Sequence, residues 1–141
     1  ELAGRSPADG PSKELHVPIR WEAAPDLHAR LVEMAQVLGF GHVQPDRVVC
    51  VRTSGARANA WARIWGLPPI FQKALGLAPA YVVEFLAPAF DRLPPDQQDR
   101  VILHELLHIP RTFSGGVRPE RSRSLVIDRR TVERHYRRFW P

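Results

Sequence analysis

Arg100-Val101-Ile102-Leu103-His104-Glu105-Leu106-Leu107-His108-Ile109-Pro110 is the stretch whose reading decides the fold. Val101, Ile102, Leu103, Leu106, Leu107 and Ile109 leave almost no polar face, so the spacing predicts a helix lying in the core. Inside it stands an HExxH pattern. Histidines at i and i+4 share one helical face, about one turn apart, where two imidazoles can grip a single Zn²⁺. Glu105 follows the first histidine directly and can reach a water at the ion without being a ligand itself. Two fixed ligands and a general base are what a zinc-dependent peptide hydrolase needs. Burying these three side chains without partners costs on the order of 1–3 kcal/mol each, and a metal answers that cost. The competing reading has two core histidines satisfied by backbone carbonyls, with Glu105 paired to an arginine.

Composition bounds the surroundings. The chain has 141 residues, enough for one core and too few for two ordinary domains. No apolar run approaches the ~18–20 residues of a membrane span, and no charged-apolar-small leader pattern is evident. The only cysteine, Cys50, sits in the apolar run Arg47-Val48-Val49-Cys50-Val51 and reads as a buried strand residue. A disulfide framework is excluded within the chain, and the expected location is cytoplasmic. Net charge is +5, carried almost wholly by arginine and concentrated late, from Arg118 to Arg138. That end makes nucleic acid a candidate partner, although no nucleic-acid motif accompanies it; a solvated helix is the plainer expectation.

Residues 1–17, rich in Pro, Gly, Ser and charge, read as an irregular arm, and 18–141 as a single domain. Leu27, Leu31, Met34, Ala35 and Leu38 recur at helical spacing from Pro25 to Gly39. Asp46–Thr53 is a strand candidate, and Ala56–Trp65 a second one expected to pair with it. Ile70–Leu75 reads as a short helix. Tyr81–Leu86 is the clearest strand, expected either as an edge that receives an extended substrate or as a core strand. Pro95 opens the HExxH helix. Trp61, Trp65 and Phe71 are expected in the core.

The helix must stop after His108, because Pro110 disfavours helical geometry at Ile109 and Phe113-Ser114-Gly115-Gly116 permits a reversal. That reversal can return a third ligand. Glu120, Glu133 and His135 are the candidates, with Asp128 a remote one. Histidines 16, 28 and 42 read as ordinary surface residues. Asp128–Phe139 reads as a final amphipathic helix carrying Val132, Tyr136 and Phe139.

Several segments together resemble a known family, the metallopeptidases of archaea, bacteria and phages with a His-Glu-Leu-Leu-His-Ile-Pro signature. The likeness runs through Ala62–Pro68, Gln72–Gly76, Tyr81–Glu84, His104–Pro110 and Thr112–Pro119. It implies a minimal zincin. The fold expected is α+β: a small mixed or antiparallel sheet packed on the HExxH helix, with a C-terminal helix. In the family's pattern a histidine follows the Arg-Pro pair and the resemblance implies it as third ligand. Here that position is Glu120. Glutamate is a competent zinc ligand, so the preferred metal set is His104, His108 and Glu120, with Glu105 catalytic and Zn²⁺ as cofactor.

In this reading Glu105 moves the proton while zinc and a neighbouring donor hold the oxyanion; Arg118, His135 and Tyr136 are candidates for that donor. The substrate is a peptide or protein. The alternative is a non-catalytic, zinc-stabilised basic module that binds nucleic acid or protein. No membrane partner is expected.

Overall fold

The computed structural model describes residues 18–141; the expected N-terminal arm, with His16, lies outside the described residues. Four strands and four α-helices follow in the order β1 (Arg20–Ala23), α1 (Pro25–Val37), β2 (Val48–Ser54), β3 (Ala62–Trp65), α2 (Pro69–Leu75), β4 (Tyr81–Leu86), α3 (Pro95–Leu107) and α4 (Arg129–Phe139). The fold is α+β with a mixed sheet. Its strand order is β1-β2-β4-β3, with β2 and β4 parallel and both outer pairings antiparallel.

The core forms where helical and strand periodicities meet. Leu27, Leu31 and Met34 of α1 and Ile102, Leu103 and Leu106 of α3 are buried together with Tyr81, Val83 and Phe85, alternate residues of β4. Cys50 on β2 joins them, as its apolar run predicts. Each of these large side chains contributes roughly 1.5–3 kcal/mol by leaving water, so the C-terminal half of α3, which bears the histidines, is packed into the core. Such packing is what a pair of metal ligands requires.

β4 is an interior strand beside β2, which corrects one expectation and decides another that was open. Only Ala62–Trp65 of the Ala56–Trp65 segment is a strand, and it pairs with β4 rather than β2. Tyr81–Leu86 is therefore not a free edge; β1 and β3 are the edges. The cause lies in burial: five of the six residues of β4 are buried, which only an interior strand can achieve. Trp61, Trp65 and Phe71 are not core residues either, each being more than half exposed. Trp65 alternates onto the sheet face away from the helices.

On that same face Glu84 is buried in the centre of the sheet. Its carboxylate accepts from Thr53 Oγ1 at 2.6 Å, Arg63 Nε at 2.7 Å and Trp65 Nε1 at 2.8 Å. Three donors from β2 and β3 thus make a central-strand charge tolerable. Strand β1 was not expected from sequence. All four of its residues are exposed, so no apolar alternation announces it.

Among the described residues no helix is long and apolar enough to cross a membrane.

Candidate metal centre

Helix α3 ends where the sequence requires. His104 lies in its last turn and His108 caps it, with the His108 and Ile109 amides donating to the Glu105 and Leu106 carbonyls in a tightened final turn. The imidazole centroids are 5.1 Å apart. After Pro110 the chain reverses. The Phe113 amide closes a turn on the Pro110 carbonyl at 2.9 Å, with Phe113 itself at φ 48° and Gly115 at φ 94°. A non-glycine residue at positive φ is strained and needs support. Phe113 has it, buried edge-on against the Tyr81 ring at 4.9 Å.

The reversal is clamped from three directions. The Tyr81 hydroxyl accepts from the Gly115 amide at 2.8 Å and donates to the Gly116 carbonyl at 2.7 Å. The Gln72 amide donates to the carbonyls of Leu67 and Ser114 at 2.7 and 2.8 Å. The Leu67 amide donates to the Gly115 carbonyl at 2.8 Å, and a Cβ on Gly66 would collide with that same carbonyl. These positioning residues come from the segments before and within α2 and from β4. Reading outward from the HExxH helix missed them; the signal was present in the Gly66, Gln72 and Tyr81 segments that carry the family resemblance.

So anchored, the chain returns along the end of α3. The Arg118 amide donates to the His108 carbonyl at 2.7 Å, and His108 Nδ1–H donates back to the Arg118 carbonyl at 2.5 Å. That bond fixes the ring and leaves Nε2 free as a ligand atom. Two residues later a Glu120 oxygen lies 3.2 Å from His104 Nε2 and 3.8 Å from His108 Nε2. All three donor atoms fall within 4.8 Å of one another. Ligands ~2.1 Å from one ion at tetrahedral angles sit about 3.4 Å apart, so the spacing and the donor types fit a zinc-sized cation.

The other candidates for a third donor are engaged elsewhere. Glu133 lines the same cleft, but Arg100 donates to both of its oxygens, Nε at 2.9 Å. His135 Nδ1–H donates to the Thr131 carbonyl, and its ring packs on Phe40. Asp128 caps α4 through the Thr131 amide. His28 bonds the Pro45 carbonyl, and His42 packs against Phe40.

Glu105 is 6 % exposed, and its carboxylate has no hydrogen-bond partner among the described residues. The arginine of the competing reading is absent, since Arg100 is committed to Glu133 and Asp96. Burial, and then the neighbouring Glu120 charge, push the Glu105 pKa up to about 7. Burial also lowers that of His108, favouring the neutral imidazole that binds metal.

These groups lie at the foot of a cleft of about 640 Å³ between β3, α3 and α4, lined on the strand side by Trp61, Ala62 and Ile64. Trp61 therefore belongs to the cleft and not the core. None of the three expected oxyanion donors lines this cleft. Arg118 and His135 border a separate cavity of about 110 Å³, and Tyr136 is buried with Arg100 stacked on its ring at 4.2 Å. The basic side chains that do line the cleft are Arg63, Arg100 and Arg129.

A small α+β domain with a four-strand mixed sheet and a C-terminal helix is compatible with a zincin-like fold. Comparison with known families agrees: the family described as "Putative phage metallopeptidase" matches residues 19–136, and the chain belongs to it. No curated protein and no solved structure matches the chain.

Proposed function

We propose that this chain is a zinc-dependent metallopeptidase in which His104, His108 and Glu120 hold the ion and Glu105 is the general base. The observation that carries the reading is the convergence of three ligand atoms within 4.8 Å beside a buried, unpartnered carboxylate. Held by His104, His108 and Glu120, a zinc ion would supply Lewis acidity towards a peptide carbonyl and a water of lowered pKa.

The chain's own residues do the rest. Glu105, buried beside the histidine pair with no hydrogen-bond partner among the described residues, takes the proton of the attacking water and delivers it to the leaving amine. His108 is held in one tautomer by the Arg118 carbonyl, so its Nε2 stays aimed at the ion. The outer edge of β3 runs along the cleft and is the edge on which an extended substrate can lie, the role first considered for Tyr81–Leu86. Arg129, which lines the cleft and makes no ion pair among the described residues, is the cationic donor towards a developing oxyanion.

The test pairs elemental analysis with hydrolysis of a fluorogenic peptide library, on wild type and Glu105→Gln. One zinc per chain in both proteins, with activity lower by roughly 10²–10⁴ in the variant, is the expected result. Absence of metal after reconstitution, or equal activity in the two, overturns the assignment.

A further inference from the structure

The whole net charge of the protein resides in its last segment. Residues 118–141 hold eight arginines and three carboxylates, a balance of +5, while residues 1–117 balance at zero. All three carboxylates are occupied: Glu120 at the histidine pair, Asp128 as the cap of α4, and Glu133 on Arg100 of α3. Every arginine ion pair among the described residues belongs to Arg30, Arg52, Arg63 or Arg100, and none to the eight.

Their placement works against the helix that bears them. Arg129 and Arg130 stand in the first turn of α4, which holds no acidic residue of its own beyond the capping Asp128, and theirs is the unfavourable sign for that end of a helix. Arg130, Arg134 and Arg137, at i, i+4 and i+7, form one exposed stripe in which like charges are neighbours. The opposite face, Val132, Tyr136 and Phe139, packs on the protein core. It is therefore not available to enter a lipid surface. Trp140, 70 % exposed, stands just past the end of the helix. Arginines in a row, without an apolar groove and with a free aromatic ring beside them, match a phosphate backbone with stackable bases. Arg129 carries the basic surface to the rim of the cleft.

We infer that α4 and the segment before it form a sequence-independent nucleic-acid-binding surface, single-stranded backbone being its best fit. Nucleic acid bound there lies beside the candidate metal centre, so proteins carried on that strand are presented to the cleft. The binding itself does not depend on the peptidase assignment.

Fluorescence anisotropy tests it, using a labelled single strand of about 20 nucleotides, the matching duplex, a poly-glutamate peptide and anionic phospholipid vesicles. The variant is Arg130→Glu/Arg134→Glu/Arg137→Glu. An equal-charge control, Arg20→Glu/Arg57→Glu/Arg92→Glu, reverses three exposed arginines that also lack ion pairs. The expected result is binding to the single strand that weakens roughly 50-fold between about 50 and 200 mM salt, the dependence of some four phosphate contacts. The α4 variant loses at least about tenfold in affinity at the lower salt and the control keeps it. Thermal denaturation of both variants checks that each remains folded, so that a loss of binding in the α4 variant alone reads its surface and not its fold. Equal loss in both variants, binding to poly-glutamate or vesicles as tight as to the strand, or no binding at the lower salt overturns the proposal.

Discussion

His108 and Arg118 are joined twice, the Arg118 amide donating to the His108 carbonyl and His108 Nδ1–H donating to the Arg118 carbonyl. One pair of residues thereby sets both the ring of one candidate ligand and the path of the strand that carries the next. Glu120, two residues on, is also fixed through its carbonyl, which accepts from the Ile127 amide at 2.7 Å. The backbone positions of His108, Arg118 and Glu120 at the candidate centre are thus set by backbone hydrogen bonds.

Tyr81→Phe tests that construction at a distance. It removes the hydroxyl that both accepts from Gly115 and donates to Gly116, and leaves two backbone groups of the strained turn unpaired. Stability is expected to fall by about 1–3 kcal/mol. Zinc affinity, read by competition with a chromophoric chelator, is expected to fall by about tenfold or more. A variant with reduced Tm and unchanged zinc affinity would show that the clamp serves folding alone.

Ligand exchange at position 120 separates geometry from chemistry. Glu120→Ala is expected to lose zinc on dialysis. Glu120→His keeps a competent donor and should retain it. Glu133→Gln is expected to keep one zinc per chain, because the Glu133 carboxylate is already held by Arg100. Elemental analysis of the three variants reads the outcome directly. Zinc lost from Glu133→Gln and kept in Glu120→Ala would move the third ligand to α4.

The elements nearest the chemistry were legible because one-dimensional signals set them. Apolar periodicity marked α1 and α3, Pro110 marked the stop, and β-branched residues marked β4. Strand order was not legible. Whether β3 joins β2 or β4 depends on which strand is buried on both faces, and the charged Glu84 gives no local sign that β4 is one of them. The tryptophans misled for a related reason. Their size argues for burial, yet Trp65 lies on the outer sheet face and Trp61 on the cleft wall. At the centre itself, spacing named His104 and His108, while the placing of Glu120 beside them depends on long-range bonds from Tyr81 and Gln72 that local patterns do not encode.

Cys50 offers a probe of global opening. Desolvation, and secondarily the Asp26 charge, push its thiol pKa up to about 12, and the side chain is buried in the core. At pH 8 the folded protein should therefore react with a disulfide reagent only as fast as it unfolds, and quickly and stoichiometrically in denaturant. The rate in urea should track the unfolded fraction seen by circular dichroism. Rapid labelling of native protein would show that the β2 region opens locally.

Glu84 sets the acid limit of the fold. Burial raises its pKa, but the hydrogen bonds from Arg63, Thr53 and Trp65 outweigh burial and bring it from 4.5 to about 2. A carboxylate whose pKa is depressed by folding contributes stability that is fully present above its unfolded value. That contribution is lost as pH falls from about 4.5 to about 2, because the unfolded chain takes up the proton first. The shift corresponds to roughly 3 kcal/mol. Asp26, held at about 2 chiefly by Arg52, loses its contribution in the same acid range, so wild type alone does not isolate Glu84. The difference between wild type and Glu84→Gln does. Urea midpoints should separate the two clearly at neutral pH, with Glu84→Gln the weaker, and converge as pH approaches 2. A separation that stays constant across that window would mean that the buried cluster acts through packing and not through charge.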